Sequence, residues 1–175
     1  METVQLFRHC PRCAAPSDPG ANPFRCGACG LTYYFNAAAA VAALITRDDG
    51  DVLLIRRAKD PARGKLALPG GFVDIGERVE TALRREVREE VNLEIGPLRF
   101  LMSHPNAYAY AGVTYATADM FFVARAVDAA AVRALDGVDD VGWHDPADVD
   151  LGALAFESMR EAMRRFRAGM HPERP

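Results

Sequence analysis

The 175-residue chain contains no apolar run long enough to cross a bilayer, so no membrane partner is expected. Its longest such stretch, Ala37 to Ile45, is far too short and reads as a buried strand. Charge of one sign is also lacking. The net charge of −3 supplies no field that would gather nucleic acid in general. Arg8, Arg12 and Arg25 leave a local RNA contact open, although solvated surface arginines explain them as well. No internal repeat is visible. Cysteine is scarce, at four residues, and no segment of secretory type precedes them. The expectation is therefore a cytoplasmic protein rather than a disulfide-stapled extracellular one. Hydrophobic residues make up 50% of the chain, enough for one main domain and a small module.

All four cysteines stand in two C-x2-C pairs, Cys10-Pro-Arg-Cys13 and Cys26-Gly-Ala-Cys29, twelve residues apart. Two such knuckles can offer four thiolates in a tetrahedron, the donor set of a structural Zn²⁺. Gly27 and Gly30 permit tight turns around the second pair. Two disulfides are the rival reading, but adjacent C-x2-C pairs suit a metal better. With four cysteine ligands no coordination position stays open, which argues against a catalytic zinc.

A second pattern runs from Gly71 to Leu93. After Gly71-Phe72-Val73-Asp74-Ile75-Gly76-Glu77 come seven residues, and then Arg85-Glu86-Val87-Arg88-Glu89-Glu90-Val91-Asn92-Leu93. Glu86, Glu89 and Glu90 stand at i, i+3 and i+4, which gathers them on one helix face. Val79, Ala82, Leu83, Val87 and Val91 form the apolar stripe of the same helix, predicted over Arg78 to Val91. Glu86 and Glu90 fall inside that stripe and Glu89 at its edge. An ordinary solvated helix with i,i+4 ion pairs would not turn two glutamates toward the core. Buried carboxylates need a positive partner or a metal, and Mg²⁺ accepts a few carboxylates while keeping waters for a phosphate substrate.

Strand signals alternate with helical ones along the remainder. Leu31 to Phe35 reads as a strand completing the cysteine module. Ala37 to Thr46 and Val52 to Arg57 flank the turn Asp48-Asp49-Gly50-Asp51 as a hairpin. Short strands are expected at Leu66 to Leu68 and Phe72-Val73, and longer ones at Leu98 to Ser103, Thr114 to Ala126 and Val141 to His144. Phe156, Met159, Met163 and Phe166 repeat at helical spacing, the mark of a core-facing helix over Phe156 to Arg167. Mixed strands with one principal helix on each side suggest an α/β/α sandwich. The expected organisation is a zinc ribbon over 1–35, a main domain over 36–168 and a flexible tail over 169–175.

The stretch Gly71 to Leu93 resembles the Nudix box: Gly, five residues, Glu, seven residues, Arg-Glu, an aliphatic, any residue, Glu-Glu, any residue, Gly, an aliphatic. Only Asn92 departs, standing where the family usually has glycine. That position ends the helix, and Asn tolerates the left-handed conformation next best after Gly. The resemblance implies the Nudix-type α/β/α sandwich with a mixed sheet. It implies that Glu86, Glu89 and Glu90, with the carbonyl of Gly71, hold Mg²⁺ or Mn²⁺. It also implies that Arg85 and Glu77 orient those carboxylates. Which carboxylate serves as base varies within the family. Asp139 and Asp140, before Trp143, are candidates for a further acid.

A zinc ribbon running into such a box is similar to the NADH pyrophosphatase branch of the superfamily. Members of that branch split NAD(H), and some remove NAD caps from RNA. The branch carries Ser-Gln-Pro-Trp-Pro-Phe-Pro after the box. Here Ser103-His104-Pro105-Asn106-Ala107-Tyr108-Ala109-Tyr110 keeps only the serine and the first proline. Nine residues precede Cys10, where longer members carry a large amino-terminal domain. The reading is a Mg-dependent pyrophosphohydrolase of a nucleoside diphosphate joined to another moiety, such as ADP-ribose or NADH. Phe72, His104, Tyr108 and Tyr110 are its candidate substrate contacts, and a homodimer is an open expectation. A non-catalytic module that senses such nucleotides or associates with RNA is the alternative; the complete set of acids favours the enzyme.

Overall fold

The structure, a computed structural model, describes residues 1–169, so the expected tail lies outside the described residues from 170 onward. The chain divides into two compact units. The first comprises Met1–Ala38 with Ala107–Thr117, and the second Ala39–Asn106 with the chain from Ala118 onward.

In the first unit β1 (Phe24–Arg25) and β2 (Thr32–Tyr33) pair antiparallel. Cys10, Phe24 and Cys26 are buried there among Phe7, Ala15, Cys29, Leu31 and Phe35. Phe7 lies edge-on to Phe24 with ring centroids 5.3 Å apart, an arrangement that aromatic quadrupoles favour. So small a core leaves much of the unit's order to other sources of stability.

The second unit is built on a mixed sheet, seven-stranded among the described residues. The strands of the sheet are β3 (Ala38–Thr46), β4 (Val52–Arg57), β5 (Leu66–Ala67), β6 (Gly70–Phe72), β7 (Arg99–Tyr110), β8 (Val113–Arg125) and β9 (Val138–His144), of which Ala38 and the part of β7 and β8 within Ala107–Thr117 belong to the first unit. The order is β5-β4-β3-β8-β7, with β6 also on β3 and β9 also on β4. Val41 to Ile45 and Val52 to Ile55 are buried without interruption. Successive strand residues point to opposite faces, so a continuous buried run means that both faces are covered. The helices α1 (Val79–Val91) and α2 (Glu157–Arg167) complete the expected α/β/α sandwich. From α1 come Ala82, Leu83, Val87 and Val91, all buried. From α2 come Met159, Ala162 and Met163, beside a buried Ser158 hydroxyl that donates to Asp119 at 2.6 Å. Among the described residues no helix is long and apolar enough to cross a membrane.

The strand expected over Leu98 to Ser103 continues to Tyr110. Two features permit the extension. Strand β7 ends the sheet order, and an edge strand tolerates the missing N–H of Pro105. Ala111 and Gly112 then form a two-residue turn with φ of 49° and 79°, the doubly left-handed geometry that matches hairpin twist. Ala-Gly is a weak sequence signal for that turn, which is why the strand is hard to see.

Helix α1 ends as the spacing predicts, with Asn92 left-handed at φ 58° and ψ 31°. Asn does more here than tolerate that conformation. Its Nδ2 donates to the Ala131 carbonyl at 3.0 Å and its Oδ1 accepts from Arg133 at 3.1 Å. The amides of Leu135 and Arg133 then satisfy the carbonyls of Glu90 and Val91, groups every helix end leaves unpaired. Asn92→Gly relieves about 1 kcal/mol of left-handed strain but removes two hydrogen bonds of about 1 kcal/mol each. Urea denaturation is expected to show a net loss of about 1 kcal/mol, with Asn92→Ala losing more because it keeps the strain. A more stable Asn92→Gly protein would refute this account of the cap.

Candidate functional site

Strand β6 lies antiparallel on β3, with Gly70 opposite Ala42 and Gly71 opposite Val41. The two glycines are required for different reasons. A Cβ on Gly70 would stand 2.1 Å from the Val41 carbonyl oxygen, on a backbone with φ +149°. A Cβ on Gly71 would meet the Glu86 carboxylate at 2.5 Å. Beyond β6 the chain turns through Asp74 to Glu77, where the Glu77 amide donates to the Asp74 carbonyl, and enters α1. This return brings the α1 glutamates back over the glycine pair.

The Gly70 amide donates to Glu90 Oε2 at 2.9 Å. Desolvation nevertheless pushes the Glu90 carboxyl up to about 8, with the Gly70 amide opposing and the charge of Glu86 adding to the rise. Burial likewise raises Glu86, against the pull of Arg85. Glu89, at the stripe's edge, is 54% exposed in its side chain. Arg85 ties the cluster together. It forms a two-pronged pair with Glu77, Nε to Oε1 at 3.1 Å and a terminal nitrogen to Oε2 at 3.0 Å. Its other terminal nitrogen reaches Glu86 at 2.8 Å and Glu89 at 3.1 Å, while the Phe72 carbonyl accepts at 3.2 Å from the terminal nitrogen that also bonds Glu77. Glu77 is held below the usual carboxylate range chiefly by Arg85.

The structure thus brings Gly71, Glu77, Arg85, Glu86, Glu89 and Glu90 together. Glu77, Glu86 and Glu89 share the Arg85 guanidinium and Glu90 is held only by the Gly70 amide, an excess of negative charge that a divalent cation would correct. The donor set is also the right one, oxygen ligands for a hard ion. Asp139 and Asp140 are exposed on β9, where Asp140 accepts from the Val141 amide. In that segment it is Asp136 whose charge raises Glu90. Of the candidate substrate contacts, Phe72 and His104 belong to the second unit and Tyr108 and Tyr110 to the first. His104 Nδ1 lies 2.7 Å from the Pro105 carbonyl oxygen, and the Tyr108 and Tyr110 rings are 6.5 Å apart.

Three contributors were not legible in the sequence. The Gly70 amide acts on Glu90 only because β6 pairs with β3. Asp74, 3.8 Å from Arg85, joins the charge cluster through the turn. Arg57 favours the ionised form of Glu90 across the fold, while its guanidinium lies 5.3 Å from the Phe156 ring centroid.

The four cysteines converge as expected, with all Sγ atoms within 4.8 Å of one another. Cys10 and Cys29 are 3.7 Å apart, as are Cys13 and Cys26. A disulfide would need about 2.05 Å, whereas the edge of a tetrahedron with Zn–S bonds of about 2.3 Å is about 3.8 Å. The two knuckles are equivalent. In each, the amide of the residue after the second cysteine bonds the carbonyl of the first: Ala14 to Cys10 at 2.9 Å and Gly30 to Cys26 at 3.0 Å. Both residues are left-handed, with φ of 58° and 74°. Amides of Cys29 and Ala28 bring the Cys26 thiol down to about 6. For Cys13 the Ala15 amide pulls the same way, but hydrogen bonding with Cys29, desolvation and the other two thiols outweigh it and push the group up to about 12. This is a candidate zinc site with thiolate-stabilising amides already in place.

Comparison with known proteins agrees with this geometry. The profile described as "NUDIX domain" matches residues 36–166. The NAD-capped RNA hydrolase NudC of Chromobacterium violaceum is 30% identical over 141 residues, covering 79% of this chain and 50% of the relative. An ADP-ribose pyrophosphatase of Methanocaldococcus jannaschii is 48% identical over 60 residues, 34% of this chain and 35% of the relative. The chain therefore spans half or less of the length of these curated relatives. Among solved structures, a MutT NUDIX hydrolase from Burkholderia pseudomallei superposes with a TM-score of 0.63 at 28% identity, covering 74% of this chain and 98% of that one.

The glycine pair separates fold from site experimentally. Gly70→Ala drives a Cβ into backbone and is expected to cost about 3 kcal/mol or more in denaturant unfolding. Gly71→Ala meets only the far end of a flexible side chain, so its stability should change by less than about 1 kcal/mol. Its Mn²⁺ affinity, read by titration calorimetry, should fall at least about tenfold as Glu86 is displaced. Equal metal affinity in Gly71→Ala and the parent would contradict this geometry.

Proposed function

The chain belongs to the NUDIX domain family, and from that premise we propose that it is a Mg²⁺- or Mn²⁺-dependent pyrophosphohydrolase. Its substrate is a nucleoside diphosphate linked to another moiety, such as ADP-ribose, NADH or a related conjugate, and it releases a mononucleotide. One observation carries this reading: the desolvated Glu86 and Glu90 carboxylates packed on Gly70-Gly71, with the Arg85 guanidinium shared by Glu77, Glu86 and Glu89. Glu86, Glu89, Glu90 and the Gly71 carbonyl would hold the ions. When bound, the metal neutralises anhydride oxygens and lowers the pKa of a water. Arg85 and Glu77 keep the carboxylates oriented, with the Phe72 carbonyl accepting from the guanidinium nitrogen that also bonds Glu77. A neighbouring carboxylate takes the proton of the attacking water.

The substrate class is supported by the names of two relatives, whose NAD and ADP-ribose share an ADP half joined through a phosphoanhydride. Phe72, His104, Tyr108 and Tyr110 are the proposed contacts for the rest of the substrate. The proposed organisation is a zinc ribbon over 1–35 and a hydrolase domain over 36–168. One structural Zn²⁺ on Cys10, Cys13, Cys26 and Cys29 would order the ribbon, and four unbridged thiols suit the cytoplasm.

Glu89→Gln and Glu90→Gln are each expected to lower kcat at least about a hundredfold, the scale of metal and acid–base contributions, while the fold survives because repulsion is relieved. Parent-like turnover by both variants would end the metal-site assignment. Rates on ADP-ribose, NADH, FAD, diadenosine polyphosphates and nucleoside triphosphates with Mg²⁺ and Mn²⁺ test the substrate. Preference for a triphosphate would sink the conjugate reading, and binding without turnover on every compound would favour the nucleotide-sensing alternative.

Elemental analysis should find one zinc per chain after reducing purification. Cys26→Ser should lose it and unfold the first unit, since small metal modules draw folding energy from the ion. Zinc-free protein with an ordered first unit would reverse that assignment.

A further inference from the structure

Strand β5 stands at the end of the sheet order, and beside it lies a hollow of about 430 Å³ lined by Arg56, Arg63, Gly64, Lys65, Leu66 and Ala153. Three of its six lining residues are cationic and none is acidic. Two of the cations are anchored by a single bond each. Arg56 donates from one terminal nitrogen to the Gly64 carbonyl at 2.9 Å, and Lys65 Nζ to the Gly152 carbonyl at 3.3 Å. Most of their N–H groups are left over, since a guanidinium carries five donors and an ammonium three.

Among the described residues none of the three forms an ion pair. Two acids on the segments that meet them accept backbone hydrogen bonds of their own. Asp140 lies opposite Arg56 in the β4–β9 register, but its carboxylate accepts from the Val141 amide. Asp150 accepts from the Gly152 amide at 2.8 Å. Of the neighbouring basic residues, Lys59 is paired with Asp136 at 2.9 Å, and Arg57, also without an ion pair, donates to the Pro61 carbonyl and lies over Phe156. Like charges held in a concave surface repel one another, focus a positive field and attract a multivalent anion.

We propose that this hollow is an anion site, separate from the glutamate cluster, for a small molecule bearing two or more phosphoryl groups. The volume is of ligand size, in a range of about 300–1,000 Å³. The anchored guanidinium of Arg56 offers the planar fork that matches phosphate oxygens, and three charges favour a polyphosphate over a single carboxylate. No carboxylate lines the hollow, so binding there needs no divalent ion. The anion has two sources, free inorganic polyphosphate or the phosphate tail of a nucleotide.

Titration calorimetry of the full chain in buffer freed of divalent cations tests the site, with inorganic tripolyphosphate, ATP and adenosine as probes. Without divalent ions the readout is independent of hydrolysis, so it stands apart from the function proposed above. Saturable 1:1 binding of tripolyphosphate is expected, weakened at least about tenfold in Arg63→Ala/Lys65→Ala. Lys59→Ala, which removes the same kind of charge outside the hollow, should change it less than about twofold. Both residues of the double variant are exposed, and its unfolding transition is recorded alongside to show that the fold is kept. ATP binding with an affinity like that of tripolyphosphate, and adenosine not binding, would support phosphoryl recognition and leave both sources open. Tighter ATP binding would single out the nucleotide, and tighter tripolyphosphate binding the inorganic anion. Absence of saturable tripolyphosphate binding, binding of ATP alone, or an equal loss in Lys59→Ala would overturn the proposal.

Discussion

The passage of Gly70-Gly71 between strand β3 and helix α1 leaves no room for a side chain on either residue. One glycine admits the neighbouring strand and the other admits a carboxylate. The Gly70 amide then bonds Glu90, so the same short strand both opens the space and aims one of the acids that fills it. Backbone pairing, helix placement and carboxylate geometry are therefore a single arrangement rather than three.

Charge is the second thread. Burial opposes ionisation of Glu86 and Glu90, and Glu77, Glu86 and Glu89 share the one guanidinium of Arg85. Among the described residues, the acids do not converge as the four cysteines do; one Arg85 nitrogen bridges Glu86 and Glu89. The cluster is held in shape by a cation too weak in number to neutralise it. That is the electrostatic state expected of a site prepared for a divalent ion.

The cysteine module follows a different economy. Its apolar cluster is small, and its two knuckles repeat one hydrogen-bond pattern around four sulfurs. Ala14 takes a left-handed conformation at the position where the second knuckle has Gly30, so the geometry of the sulfur cluster is maintained even where the residue disfavours it. Such strain persists where the surrounding contacts over-determine it, and convergence of the four thiols is one such contact.

Local patterns were legible without coordinates. The i, i+3, i+4 acids on an apolar stripe, the paired C-x2-C knuckles, the Asp48-Gly50 turn and the left-handed end of α1 at Asn92 depend on spacing and backbone preference within a few residues. The full length of β7 was not, since Pro105 argues against a strand until the sheet order shows it to be an edge. Nor were the side-chain bonds of Asn92, because Ala131 and Arg133 are about forty residues away. The Gly70 amide on Glu90, the action of Arg57 and Asp136 on the same carboxyl, and the cationic hollow beside β5 also depend on strand pairing across long stretches of chain. The sequence by itself determined which residues are the candidates for the chemistry, since periodicity and ligand spacing are local. The tertiary structure decided which backbone groups and distant charges act on them, because burial and proximity exist only once the chain has folded.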